Sequence, residues 1–207
     1  MVSVGVSRET ERDFKTYLRL LSKWQLVKNL VAPSTLEEAH SRHIVDSLQL
    51  IPLAPRDTRH WIDLGSGAGF PGLVAAIHLK GIPGVRVDLI ESDHRKCAFL
   101  RAVARETGSP TVVHFGRIED ILPTLDVPDT ISARALAPLS KLVEWGGPMI
   151  EKGATGLFLK GRDVGVELTE MAKYSSLQYR LVPSMTASDA AVVVVTAGLT
   201  PHTGPEQ

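Results

Sequence analysis

The stretch Asp63-Leu64-Gly65-Ser66-Gly67-Ala68-Gly69-Phe70-Pro71-Gly72 decides the fold of this chain. It follows His60–Leu64, which reads as a strand, and precedes Pro71–Lys80, which reads as a helix. Glycine in such a turn lets backbone approach a ligand where a Cβ would collide. Pro71 suits the first helical turn, where its missing N–H costs nothing. The following helix N-terminus offers free N–H groups and the positive end of its dipole. A loop of this kind holds an adenosine-containing cofactor or a phosphate. A glycine-rich turn with no ligand is the plain alternative.

Outward from the loop, strand-like runs recur at His60–Leu64, Val85–Ile90, Thr111–Phe115, Thr130–Ala133, Gly156–Leu159, Leu177–Val182 and Ala191–Thr196. Helical runs separate most of them: Pro71–Lys80, Asp93–Thr107, Leu139–Ile150 and Val164–Tyr174. Strands alternating with crossovers of ten or more residues predict an α/β fold, a mostly parallel seven-stranded sheet with helices on both faces. The last two strands are joined by a loop alone, which predicts an antiparallel edge. Residues 56–199 form this domain, residues 1–55 a helical extension of the same compact unit, and 200–207 a frayed tail.

The glycines leave two cofactors open. Gly65-x-Gly67-x-Gly69 fits a methyltransferase loop, and Gly67-x-Gly69-x-x-Gly72 fits the dinucleotide fingerprint. In either case Glu91, ending the second strand, would accept from ribose hydroxyls. Three features favour S-adenosylmethionine over NAD. Asp63 places a carboxylate near the loop, suited to the cationic end of an amino-acid-bearing cofactor. Arg117-Ile118-Glu119-Asp120 follows the third strand, where an apolar residue and a polar group flank adenine. His78, His94, His114 and His202 occupy no setting typical of a hydride-transfer acid.

The extension begins with a helix from Arg8 to Lys28, on which Phe14, Tyr17, Leu18, Leu21 and Trp24 share one face. Arg8, Arg12, Lys15, Arg19 and Lys23 share the opposite face, in an arc that no acid interrupts. A solvated polar face would look the same; the sharper reading is a stripe facing nucleic-acid phosphates, with Arg12, Lys15 and Arg19 at its centre. Ser34-Thr35-Leu36-Glu37 has the form of a capping box and starts a second helix, which Pro52 and Pro55 end. That helix carries His40, His43 and Asp46, but with no fourth ligand and no cysteine nearby no metal site is expected.

Composition narrows the class. Of 207 residues, 43% are apolar and 22% charged, as in ordinary globular proteins. Lys plus Arg and Asp plus Glu are 23 each, so the net charge is zero and any basic surface must be local. Cys97 is the single cysteine, which excludes an internal disulfide and fits a reducing compartment. The N-terminal sequence has no signal-peptide pattern and no apolar stretch is long enough for a bilayer. A soluble, cytoplasmic protein, with no membrane partner, is expected.

These residues resemble the bacterial small-subunit ribosomal RNA methyltransferase G family, also called glucose-inhibited division protein B. The resemblance spans nearly the whole chain. It includes Leu20-Leu21-x-x-Trp24, Asn29-Leu30 and Arg42-His43-x-x-Asp46-Ser47-Leu48. It continues through the glycine loop with its Phe70-Pro71-Gly72 ending, then Glu91-Ser92, Arg95-Lys96, Phe99-Leu100, Arg117-Ile118-Glu119, Ala133-Arg134-Ala135 and Leu159-Lys160-Gly161. Gln25 and Val31 stand where that family often has Asn and Thr. The resemblance implies a Rossmann-like class I methyltransferase fold and S-adenosylmethionine as cofactor. It also implies methylation of N7 of one guanine (527, in the 530 loop) of 16S rRNA, within the small subunit or its precursor. Carried over by position, Gly65, Phe70, Ile118, Glu119 and Arg134 would contact or border the cofactor.

Guanine N7 has an in-plane lone pair and no hydrogen, so no general base is needed. The chain fits that chemistry, having neither a Pro-Cys pair for attack on a pyrimidine nor an Asn/Asp-Pro-Pro-aromatic motif for an exocyclic amine. Positioning and water exclusion would carry catalysis. The Gly65–Gly69 backbone, with Gly67 at its centre, would cradle the methionine portion. Glu91 would hold the ribose, Phe70 and Ile118 would form apolar walls, and Glu119 would sit by adenine. Arg134, ending the fourth strand, is the candidate catalytic residue, or else a structural partner of Glu119 or Asp63. Lys160, ending the fifth, would face rRNA phosphates or simply be solvated. Arg95, Lys96, Arg101 and Arg105 offer a second, diluted basic group. Cys97 reads as a core residue. A monomer is expected. A small-molecule methyltransferase, an NAD-binding oxidoreductase and a silent binding module remain the competing readings.

Overall fold

The computed structural model describes residues 5–28, 40–174 and 176–198. The capping box at 34–37 and the tail at 200–207 lie outside the described residues. Helix α1 (Arg8–Lys28) is followed, from residue 40, by a π-helical turn (His40–Val45), the short α2 (Asp46–Leu48) and a 3-10 turn (Ile51–Leu53). Then β1 (His60–Leu64), α3 (Gly72–Leu79), β2 (Arg86–Glu91), α4 (His94–Thr107), β3 (Thr111–Phe115), α5 (Ile118–Ile121) and β4 (Thr130–Arg134) alternate. After α6 (Leu139–Ile150) come β5 (Thr155–Lys160), α7 (Val164–Thr169), β6 (Leu177–Pro183) and β7 (Ala191–Ala197). The helix expected over Val164–Tyr174 is α only to Thr169 and tightens into a 3-10 turn, Glu170–Lys173.

The strands form one sheet in the order β3-β2-β1-β4-β5-β7-β6. The first five are parallel, and β7 runs antiparallel to both β5 and β6. From β1 the order proceeds one way to β2 and β3, and the other way to β4 and β5. The loops after β1 and β4 therefore diverge, and the crevice between them is where open α/β sheets bind ligands. The central strands carry long apolar runs because helices cover both faces: four of five residues of β1 are buried.

One core layer joins Phe14, Tyr17 and Leu21 of α1 and Ile44 and Leu48 to α3, α4 and the sheet. The other packs α5 and α6 against the opposite face. The extension is thus built into the main core. Local signals set the helix ends. Asp93 caps α4 by accepting from the Arg95 and Lys96 N–H groups, and Gly108 ends it in the left-handed region at φ 62°. At the amino half of the sheet, fully buried Asp88 of β2 accepts from His60 of β1 and His114 of β3, both at 2.7 Å, and pairs with Arg86. No helix among the described residues is long and apolar enough to cross a membrane.

Candidate active site at the carboxyl edge of the sheet

The glycine loop leaves β1 with Gly65, Gly67 and Gly69 all at positive φ. Three contacts shape it. The Ser66 N–H donates to the Ile90 carbonyl at 3.0 Å. The Gly67 N–H donates to Glu91 Oε2 at 2.8 Å. The Tyr17 hydroxyl donates to the Ala68 carbonyl at 2.5 Å, so helix α1 braces the loop from below. A Cβ at Gly65 would drive into the methyl groups of Leu136, which faces it from the β4 side. Pro71, joined to Phe70 by a cis bond, stands just before α3.

Together the loop and the ends of β2, β3 and β4 enclose a cavity of about 430 Å³, within the range of ligand sites. Gly65, Gly67, Phe70, Glu91, Ile118, Glu119 and Arg134 all line it. Each oxygen of Glu91 already accepts a backbone N–H, from Gly67 and from Asp93 at 2.7 Å. Glu91 therefore holds the loop as well as facing the cavity. Ile118 is nearly buried and supplies an apolar wall. Glu119 is exposed; its own backbone N–H, with Trp145, Lys141 and Arg117 around it, holds its carboxyl below the usual range. Lys96, Leu136 and Trp145 also line the cavity; Leu136 falls within the Ala133–Leu139 run of the resemblance, whereas no motif marked Trp145 in the sequence.

Asp63 differs from its expected place. It lies fully buried beneath the loop, outside the cavity wall. Its Oδ1 accepts from Ser132 at 2.6 Å, and the Ser132 hydroxyl accepts in turn from the Trp61 indole at 2.8 Å. Its Oδ2 is buried without a hydrogen-bond partner. Burial pushes this carboxyl up to about 6, against the pull of Ser132, Ser66, the Gly72 backbone and Arg134. Any action on a cationic ligand is exerted through the loop, by field.

Arg134 closes the cavity from the β4 side and pairs with neither Glu119 nor Asp63. Its guanidinium sits 5.0 Å from the centre of the Phe70 ring. It donates to Asp46 Oδ2 at 3.3 Å and lies 3.0 Å from His43 Nδ1, while the His43 ring stacks on Phe70 at 4.7 Å. The next residue, Ala135, is the one non-glycine at positive φ (50°) among the described residues, a sparsely populated backbone region found at functional sites. His43 and Asp46, which looked like a weak metal pair, instead hold this arginine. Their three-residue spacing on one helical face was the available signal. Of His40 only the backbone is described. Among the described residues, no group of three His, Cys, Asp or Glu is placed to hold a metal ion.

The expected RNA contacts divide. Arg8, Arg12, Lys15, Arg19 and Lys23 are all exposed on α1, as a stripe requires. Glu11 borders that arc and takes the Lys15 ammonium at 3.0 Å, so the stripe is less purely basic than its periodicity suggested. Lys160 does not fit the phosphate-facing reading. Only 11% of its side chain is exposed, and its ammonium is bonded to Glu167 at 2.8 Å and to the Ala137 carbonyl at 2.9 Å. Cys97 is buried in α4, and burial pushes its thiol up.

Solved structures share this architecture at low sequence identity. The O-methyltransferase TomG from Streptomyces achromogenes, in complex with SAM, superposes with a TM-score of 0.62 at 16% identity, covering 95% of this chain and 93% of that one. The O-methyltransferase from Bacillus cereus in complex with SAH gives 0.62 at 13%, over 94% and 93%. Sequence relatives are much nearer. A ribosomal RNA small subunit methyltransferase G of Methylorubrum extorquens is 52% identical over 93% of this chain and 90% of its own length. Its counterpart from a Bradyrhizobium species is 50% identical over 92% and 86%. Residues 10–192 match the family described as rRNA small subunit methyltransferase G. With a class I methyltransferase sheet, a glycine-lined cavity at its switch point and half its residues shared with such relatives, the chain belongs to the rRNA small subunit methyltransferase G family.

Proposed function

We propose that the protein transfers the methyl group of S-adenosylmethionine to N7 of a single guanine of 16S rRNA, in the small subunit or its precursor. The observation that carries this reading is a glycine-lined cavity whose far wall is a fixed arginine at the end of β4. The residues suit the cofactor. The positive-φ turn at Gly65 and Gly67 leaves a cradle that side chains would fill, and an orphaned carboxylate oxygen lies under it. Gly65 and Gly67 would hold the methionine portion, Glu91 the ribose, and Ile118 and Glu119 the adenine. When bound, S-adenosylmethionine supplies a methyl group on a positively charged sulfur, which keeps the bonding electrons.

Guanine N7 brings its own lone pair and releases no proton, so the protein need not hold a base. Its residues orient and exclude water. Phe70, packed under Arg134 and against Tyr17 and His43, makes a stiff floor. Arg134 is the group that would touch the incoming base. Lys96, Arg117 and Arg134 outnumber Glu91 and Glu119 in the cavity lining, which favours a nucleic-acid substrate over a small apolar one. The test is a labelled-methyl transfer assay with unmodified small subunits, and tRNA and large subunits as controls. Label at one guanine, mapped by cleavage at N7-methylguanine, is expected. Label elsewhere overturns the target; cofactor binding without label overturns the reaction.

A further inference from the structure

Arg134 and Ala135 also line a second cavity, of about 280 Å³, whose walls include none of the glycine loop. Asp46, Lys160, Asp163 and Glu167 line it as well. Its volume is just under the range of drug-sized sites, which suits a single base. One carboxylate in it is held to an unusual degree. Glu167 Oε2 accepts the Leu139 N–H at 2.5 Å and the Lys160 ammonium at 2.8 Å. Lys160 is anchored in turn on Ala137. The side chain is 23% exposed, and no hydrogen bond is formed by Oε1 among the described residues. A clamped carboxylate with one oxygen left over is an acceptor prepared for a donor pair.

We propose that this second cavity seats the target guanine and that Glu167 reads its N1–H and 2-amino edge. This rests on the N7 reading given above. If N7 is to meet the methyl, the imidazole edge must face the Arg134–Ala135 wall common to both cavities. The 2-amino group then lies at the far end of the base, with N1–H beside it. Glu167 and Asp163 line the second cavity and not the first, so they are the carboxylates open to those donors. A carboxylate there accepts from guanine. It repels adenine, which offers an N1 lone pair and no 2-amino group, although adenine also has an N7. Methylation also places a positive charge on the ring and makes N1–H a stronger donor. A fixed carboxylate at that edge is thus worth more after the charge develops than before, the condition for accelerating the step. Lys160, on this account, positions Glu167 and does not meet phosphate.

The experiment compares small subunits carrying guanine or inosine at the target nucleotide, inosine lacking only the 2-amino group. With the wild-type protein, inosine is expected to lower kcat/KM roughly ten- to a hundredfold, the worth of a hydrogen bond to a charged group. Glu167→Gln is expected to lower it by a similar factor on guanine, and inosine then to cost the variant little more. Cofactor affinity by calorimetry and the melting midpoint check that the variant is folded. Equal slowing of both substrates by Glu167→Gln would assign Glu167 a structural part and overturn the proposal. So would a wild-type protein indifferent to inosine, a result that needs no variant at all. No transfer to guanine-bearing subunits, with cofactor bound, would instead sink the underlying N7 reading.

Discussion

At the residue scale the site turns on Arg134 and its two holders. Arg134 spans the glycine-lined cavity and the second cavity, and Asp46 and His43 fix where its charge lies. Asp46→Ala removes a partly buried ion pair while the hydrogen bonds of the glycine loop stay intact. Methyl transfer is expected to fall about tenfold or more, the scale of one charged hydrogen bond, with cofactor affinity nearly unchanged. Transfer assays beside calorimetry separate the two. Gly65→Val acts on the other partner. Valine at φ 59° is strained, and its Cβ meets Leu136 in the cavity wall. Cofactor binding is expected to be lost, and calorimetry showing unaltered affinity would reassign the loop. The glycine loop could be read from spacing alone because a ligand-cradling turn needs consecutive residues. The holders of Arg134 could not, since they lie 88 and 91 positions away and only the fold brings them to it.

At the element scale, the periodicities of 2 and 3.6 carried most of the fold. Strands β1 and β3 and helices α1 and α6 have the bounds their patterns set. Patterns failed where local and tertiary demands diverge. The run after Val164 ends in a 3-10 turn, and Lys160 turned inward because a carboxylate on α7 was near enough to pair with it. Helix α1 keeps both its faces: Tyr17 and its neighbours pack inward, and the basic arc stays exposed. Replacing Lys15 and Arg19 together by Glu is expected to weaken binding to small subunits and to flatten its salt dependence. Cofactor affinity should not change. Unchanged binding in a titration across salt concentrations would return the arc to ordinary solvation.

At the scale of the whole molecule, two buried aspartates set opposing pH dependences. Burial raises Asp88, but His60, His114 and Arg86 more than offset it and leave the carboxyl at about 2. Its folded value lies below the unfolded value near 4. The stability it contributes is therefore present above pH 4 and lost as pH falls toward 2. Asp63, raised to about 6, does the reverse: between pH 4 and 6 the unfolded chain ionises first, and stability declines as pH rises. Denaturant midpoints measured from pH 2 to 8 are expected to peak near pH 4 insofar as these two groups dominate. Asp63→Asn should remove the decline between 4 and 6, and Asp88→Asn should blunt the acid limb. A decline that survives Asp63→Asn would place its origin elsewhere.

The brace from Tyr17 to Ala68 joins positions 51 residues apart, and the central strand β1 takes one neighbour from β2 and the other from β4. A chain emerging residue by residue from its own ribosome therefore presents Tyr17 long before the loop it will steady. It cannot close the middle of the sheet until Thr130–Arg134 has appeared, nor set Glu167 against Lys160 until α7 follows. The second cavity, lined as far along the chain as Ala190, is among the last features of the molecule to exist. A truncated translation product ending before α7 would carry a recognisable glycine loop and lack the completed second cavity.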